Sequence, residues 1–399
     1  MTNVPTKALA GFMELLPAGQ ILFDSMKESI RQSYERFGFV PIDTPVIERA
    51  SVLLAKAGGE TEKQIYRFQK GDNDLALRFD LTVPLARYVS EHFSDLTFPF
   101  RRYAIGKVYR GERNQRGRFR EFYQCDIDII GDGKLAIIND AEIPSIIYTT
   151  FRSMGFDGFT IRINNRKVLN GLFDWLGLTE QSGGILREID KIEKIGESAV
   201  RQQIEEMGVE SDKLDRILSF IAIRGSNREM IEQLKQLNSD HSLFNEGIEE
   251  LHSVIEYIGY LGVPESHIKV DLSIARGLDY YTGTVYETVF NDHPEIGSVC
   301  SGGRYDNLAE YYTNRKLPGV GISIGLTRLY DQLTYKKIIE TAAATRTQAL
   351  IIPMVDELKV PLELASSLRD AKINTEIYFE KVKMKKIFNY SEKLGIPYI

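Results

Sequence analysis

Residues 100–131, FRRYAIGKVYRGERNQRGRFREFYQCDIDIIG, decide the fold. They read as two strands joined by an arginine-rich loop: Tyr103, Ile105 and Tyr109 alternate loosely with polar neighbours, and alternation returns from Glu121 to Ile130. Gly111 and Gly117 punctuate the loop. Between positions 101 and 120 stand seven arginines and one lysine against a single acid, Glu112, in a chain of net charge -6. That local reversal of sign points to phosphate. On the return strand Gln124, Asp126 and Asp128 are spaced by two and share one face, with Cys125, Ile127 and Ile129 on the other. Such a polar row is either solvated or lines a polar pocket.

The rest of the composition is that of an ordinary globular protein: 399 residues, 43% hydrophobic and 27% charged, enough for two or three domains with their own cores. No run approaches the ~20 apolar residues of a membrane span, and the opening MTNVPTKALAGF lacks a signal-peptide core, so a cytoplasmic chain without a membrane partner is expected. Cys125 and Cys300 each sit in an apolar strand context, which favours buried thiols over a disulfide or a metal site. The five histidines show no metal-ligand spacing, and no metal-binding residue is expected. Overall acidity excludes nonspecific coating of nucleic acid, so any RNA contact must use local basic patches.

The segment Tyr109-Arg110-Gly111-Glu112-Arg113, continued by Gln115, Gly117-Arg118-Phe119-Arg120 and Phe122-Tyr123-Gln124, resembles motif 2 of class II aminoacyl-tRNA synthetases, and specifically that of the histidyl-tRNA synthetases. The resemblance extends along the chain. Residues 18–37 form an amphipathic helix, with Phe23, Met26, Ile30, Tyr34 and Phe37 at spacings of three and four. Phe39 to Glu48 is extended and broken by Pro41 and Pro45; it is either a proline-bearing edge strand or, by resemblance, the dimer-forming motif 1. Leu75 to Phe79 is a strand, and Asp80 or Thr82 stands where a helix cap belongs. LRFDLTVPLARYV also resembles the segment that holds the substrate ammonium in the family, a group whose burial requires a carboxylate.

Residues 165–262 read as a charged helical module, with Leu186, Ile189, Ile192 and Ile195 at helical spacing. It resembles the helical insertion that contacts the tRNA acceptor arm, although its charge runs suit solvated faces. Strand pattern resumes at Ile268 to Ile274 and delivers Arg276-Gly277-Leu278-Asp279-Tyr280-Tyr281-Thr282-Gly283, then the strand Thr284 to Phe290. As RGLDYYTGTVYE this stretch is highly specific to histidyl-tRNA synthetases. A helix is expected to begin at Ser301-Gly302-Gly303-Arg304-Tyr305-Asp306. GVGISIGLTRL, residues 319–329, puts a small-residue strand before a helix whose first turn carries Arg328, and resembles motif 3, with Thr327 replacing a usual polar residue. No P-loop is present, and Val382-Lys383-Met384-Lys385-Lys386 lacks the partner motif that would make it a class I lysine loop. Residues 334–348 look like a linker, and 349–399 alternate strand and helix with parallel pairing expected.

The fold so implied is α+β: a class II synthetase catalytic domain with an antiparallel sheet and flanking helices (1–164 and 263–333), a helical insertion (165–262), a linker (334–348) and a partial C-terminal α/β anticodon-binding domain (349–399) that ends before such a domain should be complete. The implied function is ATP-dependent activation of L-histidine to its adenylate and transfer to the terminal adenosine of tRNA(His), by a homodimer using ATP and Mg2+. In that reading Arg110 holds the α-phosphate and the substrate carboxylate. Arg276 reaches the α-phosphate from the other side and stabilises the transition state. Arg113 and Arg328 bind the outer phosphates, and Glu112 contacts the adenine side or supports Arg110. Asp80, Thr82 and Gln124 take the ammonium, and Asp128 and Tyr281 grip the imidazole, with Tyr280 beside them. Many bacterial members carry glutamate where this chain has Asp80 and Asp128, which implies a pocket built closer in or a bridging water. The competing class is a noncatalytic paralogue that senses histidine as a regulatory subunit of ATP phosphoribosyltransferase; intact phosphate-binding arginines argue against it.

Overall fold

The computed structural model describes residues 4–55, 60–113, 116–189, 191–237, 240–274, 281–307, 309–342 and 344–399. The chain divides into two compact units, one of residues 29–329 and one of residues 1–28 with 330–399.

In the larger unit β1 (Val40–Pro41) opens the main sheet, while β2 (Ile47–Arg49), β3 (Arg67–Lys70) and β4 (Asn73–Leu77) form a separate antiparallel sheet ordered β2-β4-β3. The arginine-rich hairpin supplies β5 (Phe100–Tyr109) and β6 (Glu121–Ile130). β7 (Phe159–Asn165) and β8 (Ile268–Val270) flank the helical segment, and β9 (Thr284–Phe290), β10 (Cys300–Tyr305) and β11 (Gly319–Gly325) follow. The order is β1-β5-β6-β11-β10-β9-β7-β8. From β5 to β7 every neighbour is antiparallel; β1 on β5 and β8 on β7 are parallel. The hairpin holds ten paired residues a side, from Phe100↔Ile130 to Tyr109↔Glu121. Its alternation is therefore real: Cys125, Ile127 and Ile129 are fully buried on the face away from the polar row. The helix Pro17–Arg36 delivers Tyr34 to that face, where its hydroxyl donates to the Cys125 carbonyl at 3.0 Å.

The helix expected to begin at Ser301–Asp306 is instead a strand. Cys300 to Gly303 pair with β9 on one side and β11 on the other, so both sets of backbone groups are satisfied by the ladder. Neighbouring strands come so close that a Cβ on Gly302 would lie 2.1 Å from the Gly321 carbonyl oxygen. The glycines that suggested a helix entrance serve this close approach.

Helices occupy the stretch between β7 and β8, from Arg166–Trp175, N-capped by the Asn165 side chain, to Ser242–Tyr260. The repeat expected over 186–195 is divided: Leu186 and Ile189 are buried in the helix Ser182–Ile189, whereas Ile195 ends the short helix Ile192–Ile195 and is exposed. The strand expected over 268–274 is confined to β8, and the chain then turns, with Ser273 Oγ donating to Asp271 at 2.6 Å.

In the smaller unit β12 (Ala349–Ile351) and β13 (Thr375–Ile377) pair in parallel, as the sequence predicts, with the helices Lys359–Asp370 and Met384–Leu394 following them. Leu350, Ile387 and Ile396 form its core.

Candidate active site

The polar row lines a pocket. Strand register places Gln124, Asp126 and Asp128 on the floor of a cleft of about 460 Å³, within the size range of small-molecule sites. Three transverse rows make that floor. One runs Gly325, Gln124, Gly106; the next Ser301, Ser323, Asp126, Ala104; the third Gly303, Gly321, Asp128, Arg102. Side chains on β6 project upward because the facing positions on β11 are glycine or serine. A Cβ on Gly321 would stand 2.4 Å from Asp128 Oδ1.

Each floor residue has defined partners. Asp128 accepts from the Tyr305 hydroxyl through Oδ1 at 2.7 Å and from Arg102 Nη2 through Oδ2 at 2.5 Å. Arg102 is fully buried and also donates to the Leu81 carbonyl at 3.3 Å. Gln124 Nε2 donates to Ser323 Oγ at 2.8 Å, and the Ser323 hydroxyl bonds the Asp126 carboxylate. Burial raises the pKa of Asp126 to about 7, with Arg102 opposing the shift. It raises Asp128 and Asp80 as well, each again against Arg102 and, for Asp80, against backbone N–H groups and Arg110. Among the described residues three buried carboxylates thus share the buried Arg102 guanidinium, with Arg110 acting on Asp80 besides.

Asp80 is a helix cap and also a lining residue of the cleft. Its Oδ1 accepts from the Thr82 and Val83 backbone N–H groups at 3.2 and 2.9 Å, capping the helix Thr82–Glu91, and it faces the cleft with Thr82. The hairpin loop closes one side. Arg110 lies against the Phe79 and Phe122 rings at 4.4 and 5.1 Å, and its Nε donates to the Phe79 carbonyl at 3.3 Å. Arg118 pairs with Glu112 at 3.3 Å, and Arg120 Nε donates to the Glu112 carbonyl at 3.1 Å. Arg328, in the first turn of the helix Leu326–Tyr335, reaches the cleft and donates to the Ile296 carbonyl at 2.5 Å. Thr327 beside it accepts from the Tyr123 N–H at 2.8 Å, tying that helix to β6.

The structure thus gathers Asp80, Thr82, Arg110, Glu112, Gln124, Asp128, Tyr281 and Arg328 around one cleft. Arg113 is exposed on the loop and does not line it. Arg276 and Tyr280 lie outside the described residues. Just after them Thr282 is fixed by Asp306 and the Arg304 carbonyl, at 2.7 and 2.8 Å, and Arg304 pairs with buried Asp140 at 2.5 Å. Sequence reasoning missed the functional placement of Arg102, Asp126, Ser323 and Tyr305. The period-two row contained the signal for Asp126. Nothing local marks Tyr305, 177 residues from Asp128. Both cysteines are free and buried, as expected. Among the described residues no group of three His, Cys, Asp or Glu could hold a metal ion by itself.

An antiparallel sheet of this order, bearing an arginine-rich hairpin and a small-residue strand that runs into a helix with arginine in its first turn, is the catalytic architecture of the class II aminoacyl-tRNA synthetases. The histidyl-tRNA synthetase family profile matches residues 11–329. The histidine–tRNA ligase of Clostridium tetani is 63% identical over 397 residues, 99% of this chain and 90% of that protein. The crystal structure of histidyl-tRNA synthetase from Nostoc sp. PCC 7120 superposes with a TM-score of 0.92 at 42% identity, covering 99% of this chain and 90% of that one. A Bacillus halodurans protein described as an ATP phosphoribosyltransferase regulatory subunit/histidyl-tRNA synthetase shares the fold at a TM-score of 0.82 and 21% identity, with 97% of each chain covered. The chain belongs to the histidyl-tRNA synthetase family.

Proposed function

We propose how a member of this family, an ATP-dependent ligase of histidine and tRNA, carries its chemistry in this cleft. Histidine lies on the floor of β6 and β11, its ammonium toward Asp80, Thr82 and Gln124 and its imidazole toward Asp128 and Tyr281. Its carboxylate attacks the α-phosphate of ATP; the new bond is carboxylate oxygen to phosphorus, and pyrophosphate leaves. Arg110, sandwiched by Phe79 and Phe122, is held ready to bridge that carboxylate and the α-phosphate. Arg276, outside the described residues, is assigned by the family resemblance to the α-phosphate from the other side. Arg328 and Arg113 bind the outer phosphates, and Glu112 serves the adenine side while orienting Arg118 and Arg120.

Mg2+, arriving on ATP, would neutralise charge on the substrate phosphates, and Glu112 in the cleft would offer it a carboxylate, since among the described residues no group of three His, Cys, Asp or Glu forms a cage for it. The second step passes histidine to the terminal ribose of tRNA(His). Residues 165–262 form the insertion that meets the acceptor arm, residues 349–399 belong to an anticodon-binding domain joined by 334–348, and the segments 1–164 and 263–333 complete the catalytic domain. The working state is a homodimer in the cytoplasm.

The single observation that carries the assignment is the convergence of Asp80, Gln124 and Asp128 with Arg110 and Arg328 on one cleft. Histidine-dependent exchange of pyrophosphate into ATP tests it. Arg110→Ala and Arg276→Ala are each expected to lower the exchange rate ~100-fold or more, the usual cost of losing one preorganised charge. Folded protein that binds histidine yet exchanges no pyrophosphate would overturn the reading in favour of a histidine sensor.

A further inference from the structure

Arg78 is only 2% exposed, yet it does not line the cleft. A guanidinium taken out of water is costly unless its donors are met, and the donors of Arg78 are met by main chain. Nε donates to the Lys107 carbonyl at 2.8 Å, and Nη1 donates to the Thr44 carbonyl at 2.5 Å and to Asp43 Oδ1 at 3.0 Å. The Asp43 side chain is 84% exposed, so that ion pair adds little and the carbonyls set the position. The backbone of the same residue is pinned as well: its N–H donates to the Val46 carbonyl at 2.9 Å, and its carbonyl accepts from the Tyr109 N–H at 3.0 Å.

These bonds fall on the outer edge of β5, where β1 pairs only with Arg102 and Tyr103. Arg78 takes over further along, at Lys107 and Tyr109. The strand is shaped to receive it. A Cβ on Gly106 would lie 2.3 Å from Arg78 Nη2 and 3.2 Å from Cζ, so the guanidinium rests on the bare backbone of a glycine.

The next two residues serve the cleft, and they are held differently. Asp80 has its own anchor in the Thr82 and Val83 N–H groups. Phe79 presents its ring to Arg110 at 4.4 Å and its carbonyl to Arg110 Nε at 3.3 Å, and the peptide that carries Phe79 starts at Arg78. Resting on the reading of the cleft given above, we propose that Arg78 is a positioning residue for adenylation: docked on Gly106 and bonded to β5 and to residues 43–46, it fixes Phe79 and through it the Arg110 guanidinium, without touching histidine or ATP. Arg78 then governs the transition state more than histidine binding. A displacement of ~1 Å at a reacting group costs about 10²-fold in rate, whereas the ammonium stays with Asp80. No covalent step and no proton transfer is involved.

Arg78→Lys keeps the charge but loses the rigid fork that reaches the Lys107 and Thr44 carbonyls together. In histidine-dependent pyrophosphate exchange, assayed well below the melting temperature of each protein, it is expected to lower kcat about 10–100-fold while the KM for histidine stays within about threefold. Gly106→Ala keeps Arg78 but pushes its guanidinium off β5; it is expected to act in the same direction, and it carries the test if the lysine variant does not fold. Whichever variant folds is then combined with Arg110→Ala. A residue that acts through Arg110 has nothing left to position there, so the further loss in kcat is expected to be within about twofold, whereas a merely structural arginine costs the same factor in both backgrounds. Equal factors in the two backgrounds would overturn the role of Arg78 alone, as would a kcat within about twofold of wild type in the single variants or a loss carried by the KM for histidine instead. Absence of exchange in wild type would overturn the synthetase reading and this proposal with it.

Discussion

At the scale of single residues the cleft is built against its own stability. Asp126 is forced toward neutrality because its charge is buried with too little compensation, and its pKa moves from 3.8 to about 7. The folded chain then binds this proton more tightly than the unfolded chain does. Its contribution to stability is complete below about pH 4, where both states are protonated, and is lost as pH rises through about 7. An asparagine there has no proton to lose. Ligand-free Asp126→Asn is therefore expected to melt at a higher temperature than wild type at pH 8, with the difference shrinking steadily toward pH 4.5. Melting curves of both proteins across that interval decide the matter, and a variant less stable at pH 8 would mean that Asp126 is structural. The row containing Asp126 was legible in the sequence because a strand displays alternate residues. Its partners were not. Tyr305, Ser323 and Arg102 reach β6 only through the register of other strands, and no local pattern encodes which strand lies beside which.

At the scale of elements, the hairpin β5–β6 and the step from β11 into its helix were legible because each carries its own periodicity and turn residues. The segment 301–306 was not, since two glycines before a polar run fit a helix entrance as well as a crowded strand. What separates the two readings is the approach of β11, a tertiary fact. The same crowding makes the floor sensitive to one methyl group. A Cβ on Gly321 would lie 2.2 Å from the Ile127 carbonyl oxygen and 2.4 Å from Asp128 Oδ1, and neither atom can withdraw without breaking the β6–β11 ladder or the bonds to Tyr305. Gly325, on the same strand, would meet nothing nearer than Arg328 Cβ at 3.9 Å. Gly321→Ala is therefore expected to cost about 1–3 kcal/mol of stability, the usual range for overpacking, and to weaken histidine binding. Gly325→Ala should leave the urea midpoint within error of wild type. Equal midpoints for the two variants would show that the floor has slack the geometry denies it.

At the scale of the whole molecule, charge is distributed against its average. The chain is acidic overall, at -6, yet Arg113, Arg116 and Arg118 stand exposed on the hairpin loop, with Arg118 lining the cleft. An acidic surface repels the phosphate backbone generally, so a polynucleotide is drawn only where these arginines outweigh that repulsion within a Debye length, about 10 Å at 0.1 M salt. The two half-reactions should then respond differently to ionic strength. On the proposed reading, histidine is held on a floor whose carboxylates Asp80, Asp126 and Asp128 are buried and poorly screened, whereas tRNA capture releases counterions from its phosphates. Raising potassium chloride from 50 to 200 mM is expected to leave the KM for histidine in pyrophosphate exchange within about twofold while the KM for tRNA climbs, with a log–log slope near 0.7 for each single-strand phosphate neutralised. Arg116→Ala should lower that slope by about one contact without changing exchange. If salt shifts both KM values in parallel, or if Arg116→Ala leaves the slope intact, the loop arginines serve the nucleotide pocket alone and the tRNA end is held elsewhere.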